Sequence, residues 1–396
     1  LPRPGSFDQL RSLVGLIMSQ QLDRTRPLWE LNVVEGLEEG RFAIVSKIHH
    51  CMIDGIAGVD LMAVLLSLAP SDEVEDPVPF VPRRVPADSE LFVRETARRT
   101  SRALGALRSV RQLGEDTRGL VLEGAYRARA AGHSLSSGWL TRASRTPLNG
   151  KIGSSRLFGT LATPLSKVKE VKDAAGGSVN DVVLATVAGG VRRFLAETRE
   201  FDVSDLDFRA MAPVSVRSLD QRGTLGNHVA MWLVSLPVGE PDPLVQLDQV
   251  KRATQRLKET DQALGAATLV RLSAGAPATL VSMASRLATG VRPFNMTVTN
   301  VPGPQFPLYL LEAKMLESYA LVPLWQEHGV GVALFSYAGT VFWGFNADYD
   351  VVPDVDGFAR AMEDAFDELY EAAVSGRRPV HQTKGKPKKR PPLGSA

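Results

Sequence analysis

Two stretches near the C-terminus constrain the fold of this chain more than any other feature. "VGVALFSYAGTVFWGFNAD" (residues 330–348) is a pair of apolar runs meeting at Ala338-Gly339. Each run is short and rich in β-branched and aromatic residues, and the glycine sits where a turn is needed, so the pair reads as a β-hairpin. "DVDGFARAMEDAFDELYEAAV" (residues 354–374) follows directly. Its apolar positions Val355, Phe358, Met362, Phe366 and Leu369 recur at three- and four-residue steps, the pattern of an amphipathic helix. A hairpin followed by such a helix fits the α/β reading given by strands and helices alternating in two halves.

The same alternation runs through the rest of the chain. "SFDQLRSLVGLIMSQ" (6–20) has helical periodicity with Ser6 placed to cap it. "LWELNVVEGL" and "GRFAIVSKI" are strand-like and joined through Glu39-Gly40. After Asp54-Gly55 the pattern turns helical through Leu68. "DPVPFVPRRVP" (76–86), with four prolines in eleven residues, is a linker. Residues 89–145 read as two or more helices carrying eleven arginines, which form either solvated faces or a basic face toward an anionic membrane or a phosphate-bearing ligand. A second unit begins at Lys151. It holds strands in "SRLFGTLAT", "LDFRAMAPVSVR", "HVAMWLVSLPV" and "FNMTVTNV", a helix in "SVNDVVLATVAGGVRRFLAE" opened by Ser178 or Asn180, and helices between Pro243 and Leu287. The expected organisation is therefore residues 1–76, a linker and helical crossover over 77–150, a second unit over 151–376, and a basic tail over 377–396.

Charge and cysteine content narrow the function classes. The tail carries seven Lys/Arg and no acid, and the remaining chain holds 39 basic against 44 acidic residues. That distribution is not the footprint of a nucleic-acid binder. One cysteine, Cys51, excludes an internal disulfide and fits a reducing, cytoplasmic compartment. The longest apolar run, "LMAVLLSLA" (61–69), is too short to span a bilayer, and no signal pattern opens the chain.

The chemistry concentrates in "HHCMIDG", residues 49–55. Two of the chain's six histidines stand together here, between a strand-like run and a helical one. Strand ends are where reacting groups gather in α/β sheets. His-His with an Asp four residues on lacks the spacing of a zinc peptidase motif, and Cys51 has no partner cysteine, so no metal is expected. Cys51 as nucleophile is the lesser alternative to a small buried thiol.

The pattern His49-His50-x-x-x-Asp54-Gly55 resembles the motif of the CoA-dependent acyltransferase superfamily. With "RPLWE" (26–30), "VNDVVLA" (179–185), "PVSVR" (213–217), "GNHVAMWLVSLP" (226–237) and "TNVPGP" (299–304) in this order, the chain resembles the bacterial wax ester synthase/acyl-CoA:diacylglycerol acyltransferases over nearly its whole length. Members of that family carry a segment before the "LPRPG" with which this chain opens. The expectation is that the first domain lacks part of its sheet and leaves an apolar face uncovered.

The resemblance implies an α/β fold of two domains, each a mixed sheet flanked by helices, with the active site at their interface. It implies transfer of a fatty acyl group from acyl-CoA, a substrate and not a resident cofactor, to the hydroxyl of diacylglycerol or a long-chain alcohol. His50 takes the role of general base. Asp54 turns away from the imidazole and pairs with an arginine, for which Arg217 is the candidate. Gly55 leaves room at a sharp turn, and His49 is a structural neighbour able to support the loop. Asn180 and Asp181 are ordinary helix-opening residues that the family resemblance also places at the active-site channel. Asn300, before the Pro-Gly turn, is either a turn residue or a donor to the acyl carbonyl. Trp29 is core or substrate wall, with core the commoner place for it. The partners implied are acyl-CoA, the lipid alcohol, and a membrane or lipid-droplet surface reached peripherally from the cytoplasmic side. Nucleic acid is not among them. Two alternatives differ from this: a condensation-type amide or ester synthase on carrier-bound substrates, which shares the His motif but not "PLWE" and "TNVPGP", and a catalytically silent lipid-surface protein of the same fold.

Overall fold

The computed structural model describes residues 1–49, 51–52, 62, 64–74, 79, 81, 84–112, 141–215, 229–259 and 292–376. His50, Asp54, Gly55, Arg217 and the basic tail lie outside them.

The core is a six-stranded mixed sheet in the order β3-β10-β9-β6-β4-β5. Its strands are β3 (Arg156–Pro164), β4 (Phe208–Ser215), β5 (Val229–Leu236), β6 (Met296–Pro302), β9 (Val330–Tyr337) and β10 (Thr340–Asp348). The hairpin β9–β10 turns at Ala338-Gly339, as its sequence predicts. β6 runs parallel to both β9 and β4, while the other pairs are antiparallel. Helices α3 (Leu165–Ala175), α4 (Val179–Arg193), α5 (Pro243–Glu259) and α6 (Val355–Val374) complete this unit. Val330, Val332 and Leu334 of β9, with Trp343 and Phe345 of β10, share one core with Val187 and Val191 of α4 and Phe358 and Met362 of α6. Phe335 and Tyr337, with Phe342, point the other way into a second cluster with Leu308. Both faces are covered, which is why these strands are apolar without alternation. α4 and α6 approach closely at Gly190, where a Cβ would stand 3.0 Å from the Met362 Cα.

The buried carboxylate of Asp348 closes the end of β10. It accepts from Gly153 N (2.8 Å), Arg156 Nη1 (3.0 Å) and Val351 N (3.1 Å). A buried charge satisfied in this way ties the loop before β3 to the exit of β10.

The N-terminal part is built on α1 (Phe7–Ser19) and the antiparallel pair β1 (Trp29–Val34) and β2 (Ala43–Ile48). Ser6 caps α1 in a reciprocal box with Gln9. Leu10 and Val14 share one cluster with Val34 and Val45 of the hairpin and with Phe158 of the edge strand β3. Arg11 Nε donates to the Phe158 carbonyl (3.0 Å), and its guanidinium also meets Asp356 at the start of α6. Alternation in the hairpin sends Trp29, Leu31, Val33 and Ile44 to the opposite face, where all four are exposed.

α2 (Asp88–Gln112) follows the proline-rich segment. The short strands β7 (Tyr309–Leu310) and β8 (Ala313–Lys314) form a separate small ribbon. No single described helix is long and apolar enough to cross a membrane. α3 and α4 with its following turn pass such a test only as a pair bent by 97°. Their apolar residues belong to the main core.

Candidate active site

The histidine motif begins where β2 ends. Trp29 of β1 pairs with Ile48, and the ladder continues one step further as His49 N donates to the Leu28 carbonyl (2.9 Å). Lys47 anchors this strand end by donating from Nζ to the carbonyls of Ile17 (2.9 Å) and Gln20, at the C-terminus of α1. A cation there also complements the helix dipole. The chain then turns, with Met52 N donating to the His49 carbonyl (2.9 Å). His49 Nδ1 accepts from Cys51 N (3.2 Å), which leaves the proton of the neutral ring on Nε2. His49 and Cys51 are both exposed. Trp29 is 53% exposed and so does not belong to the core; it stands beside the strand end that carries His49.

A second constellation forms at the N-terminus of α4. Ser178, and not Asn180, is the cap: its Oγ accepts from Asp181 N (3.3 Å), and Asp181 Oδ2 accepts from Ser178 N and Oγ (both 2.7 Å). The other oxygen, Oδ1, accepts from Thr254 Oγ1 of α5 (2.6 Å). Asp181 is buried; its bonds with Ser178 close the start of α4, and its bond from Thr254 ties that helix end to α5. Asn180, one residue earlier, turns the other way. Its Oδ1 accepts from Asn300 Nδ2 (2.7 Å) across 120 residues of sequence.

Asn300 owes its position to the Pro-Gly segment that ends β6. At Gly303 a Cβ would stand 2.5 Å from the Ser336 carbonyl and 2.3 Å from the Phe335 ring, so only glycine lets the segment lie along β9. Gly303 N donates to Ser336 Oγ (3.2 Å), Ala338 N to the Pro304 carbonyl (3.1 Å), and Gly339 N to Gln305 Oε1 (3.0 Å). The segment is thereby fastened to the β9–β10 turn. The Asn300–Asn180 bond uses one amide hydrogen of Asn300. The other, and both of Asn180, have no partner among the hydrogen bonds of the described residues.

Beside this helix end an open recess is lined by Gly177, Ser178 and Asp181 and by Lys251, Arg252 and Lys258 of α5. Lys251 Nζ donates to the Ala175 carbonyl (2.8 Å), and Arg252 pairs with Asp248 (2.7 Å). Among the described residues no group of three His, Cys, Asp or Glu side chains could hold a metal ion. His328, the other described histidine, is a core residue: it stacks on Phe294 at 4.3 Å with its ring nitrogens at the carbonyls of Gln326 and Phe294. Burial pushes its pKa below the ordinary imidazole value.

The fold and the motif define a class before they define a family. The structure matches that of a wax ester synthase/diacylglycerol acyltransferase from Marinobacter aquaeolei VT8 with a TM-score of 0.64 at 24% identity, covering 95% of this chain and 78% of that one. It also matches the starter condensation domain of rhizomide synthetase, solved as a mutant with C8-CoA and Leu-SNAC, with a TM-score of 0.53 at 14% identity, covering 97% and 78%. The fold is that of the CoA-dependent acyltransferases and condensation domains. Sequence then narrows it: the wax ester synthase/diacylglycerol acyltransferase catalytic domain matches residues 1–183, and the C-terminal domain of the same family matches residues 225–370. The chain belongs to the wax ester synthase/diacylglycerol acyltransferase family. A probable diacylglycerol O-acyltransferase of Mycobacterium tuberculosis H37Rv, tgs1, is 33% identical over 387 residues, covering 97% of this chain and 80% of that protein. A second from the same strain, tgs2, is 32% identical over 379 residues, covering 94% and 80%.

Proposed function

We propose that this protein transfers a fatty acyl group from acyl-CoA to the hydroxyl of diacylglycerol, a long-chain alcohol, or both, releasing CoA and forming triacylglycerol or wax ester. The observation that carries the proposal is His49-His50-x-x-x-Asp54-Gly55 directly after β2, in a chain matched by both domains of the family. An alcohol hardly ionises at neutral pH, whereas imidazole titrates near about 6.5. His50 accepts the hydroxyl proton as the alcohol oxygen bonds to the thioester carbonyl carbon. The tetrahedral oxyanion then collapses, the C–S bond breaks, and the imidazolium returns the proton to the CoA thiolate. No acyl-enzyme, metal or resident cofactor enters this scheme. The rhizomide synthetase domain of similar fold was solved with C8-CoA, which is consistent with acyl-CoA as donor here.

The other residues take supporting roles. Asn300, held by Asn180, donates to the developing oxyanion. Asn300→Ala is expected to lower kcat by about 10²–10³-fold with little change in KM for acyl-CoA, as steady-state kinetics will show. Trp29 and the α4 end, with Asn180 and Asp181, border the substrate channel, and the basic wall formed by Lys251, Arg252 and Lys258 suits the anionic end of acyl-CoA. The reacting groups lie between the units over 1–76 and 151–376. Gly55 clears the turn and His49 supports it through Cys51. Asp54 pairs with Arg217 and holds the loop. Asp54→Ala is therefore expected to cost about 3–5 kcal/mol of stability along with activity, because it strands the arginine. Wild-type melting with lost activity points instead to a direct His50–Asp54 dyad.

An enzyme acting on insoluble acceptors has to reach them at the inner face of the membrane or on lipid droplets, and we infer that this protein does so peripherally. The deciding experiment offers purified protein labelled palmitoyl-CoA with diacylglycerol and hexadecanol in parallel. Labelled triacylglycerol or wax ester is expected. Transfer to neither acceptor overturns the proposal.

A further inference from the structure

α2 stands out because its first turns are turned to solvent. Leu91, Phe92 and Val93 are 49%, 73% and 64% exposed, three consecutive apolar side chains on a helix. The helix is also cationic. It carries six arginines against Asp88, Glu90 and Glu95, and no acid stands between Thr96 and Gln112 while Arg98, Arg99, Arg102, Arg108 and Arg111 do. Two of its acids are matched within the helix: Arg94 bonds Glu90 (2.8 Å), and Arg98 bonds both oxygens of Glu95 (2.8 and 2.9 Å). The positive excess therefore falls on the part of the sequence beyond the first two turns.

We propose that α2 is the surface by which this protein docks on an anionic lipid surface, with Phe92 and Val93 entering the acyl region and the arginines meeting the headgroup phosphates. Both features suit that occupant: exposed aromatic and β-branched side chains in the first turns, an excess of arginine in the sequence beyond them, and 25 residues of helix to lie in the interface plane. A protein partner would need acidic cover matched to an excess spread along the helix, whereas an anionic bilayer supplies it everywhere. The exposed face of the β1–β2 hairpin is apolar but has no arginine within its strands, and so lacks the second half of the pattern. The inference rests on the proposed use of a lipid acceptor, which gives the protein a reason to visit such a surface.

The test measures binding without turnover. Full-length protein is sedimented with phosphatidylcholine–phosphatidylglycerol vesicles and with pure phosphatidylcholine vesicles, at low and high salt. Preference for the anionic vesicles, weakened by salt, is expected. Phe92→Glu with Val93→Glu is expected to lower the partition coefficient about tenfold or more, since two exposed anchors are lost. Leu31→Glu, on the hairpin face, is expected to leave it unchanged. In a Cys51→Ser background, Phe92→Cys labelled with an environment-sensitive dye is expected to shift to the blue only when anionic vesicles are added, and this variant does not depend on the double replacement folding. Wild-type sedimentation of the double variant overturns the proposal. So does a label already blue-shifted without vesicles, which means that protein covers this face. Ester formation on detergent-dispersed hexadecanol is measured beside it. The double variant is expected to keep the wild-type rate there, and absence of turnover in the wild type counts against the transferase proposal while the vesicle result still stands.

Discussion

His50→Ala is expected to lower ester formation by about 10²–10⁴-fold while leaving the melting temperature at the wild-type value. The reasoning runs through proton transfer alone. Without a base at the hydroxyl, the alcohol must attack as a neutral nucleophile or lose its proton to water, and either route forfeits the general-base contribution. His49→Ala is expected to be milder, because the contact given by its ring is a hydrogen bond from Cys51 N within the turn. Steady-state rates with palmitoyl-CoA and hexadecanol, taken with thermal melts of the same preparations, check both. Retention of more than about a tenth of the rate in His50→Ala removes the residue from the mechanism. Cys51→Ser should turn over normally, since no thiol chemistry is required.

Asp181→Ala is expected to lower stability by about 3 kcal/mol. One buried carboxylate there accepts three hydrogen bonds, from Ser178 N, Ser178 Oγ and Thr254 Oγ1, and stands in the first turn of α4. Bonds to a charged acceptor contribute about 1.5–3 kcal/mol each, and a cap about 1 kcal/mol. They are not additive, because the cut ends partly find water. Activity should fall with stability, since the end of α4 carries Asn180 to Asn300. Asp181→Asn keeps one acceptor and should lie between. Thermal unfolding measured beside kcat separates two roles for this residue. A variant that melts as the wild type yet turns over poorly assigns Asp181 to the substrate, and one that loses both assigns it to the helix end.

The parts of this molecule that were legible in its sequence are those governed by neighbours along the chain. Ser6 and Ser178 each stand three residues before a side chain that completes a capping box, and the 3.6-residue rhythm of Val355 to Val374 is visible without a structure. The β9–β10 hairpin follows from a glycine between two apolar runs. What the sequence does not carry locally is pairing at a distance. Nothing near Met296 says that β6 lies parallel between β9 and β4, because parallel neighbours are joined by crossovers far longer than any pattern window. The Asn180–Asn300 bond was invisible for the same reason. Each residue is an ordinary helix-start or turn residue by itself, and only the sheet order brings them together. Trp29 was open to misplacement because an aromatic at the head of an apolar strand usually faces inward, whereas alternation here turns it to the uncovered face.

The packing of α1 on β3 has a consequence for biogenesis. β3 is an edge strand, and its one neighbour in the sheet, β10, is made some 190 residues after Phe158. On a ribosome adding about 5–20 residues per second, that is a delay of roughly 10–40 s. Throughout it, Leu10, Val14 and Arg11 have no finished surface to sit on, since Phe158 is not yet in a sheet and Asp356 does not yet exist. α1, made well before β10 and α6, is thus completed in its packing only when they follow. Until β10 has been made, α1 is an amphipathic helix whose partner strand has no sheet to belong to, and Arg11 waits for Asp356 until α6 has been made.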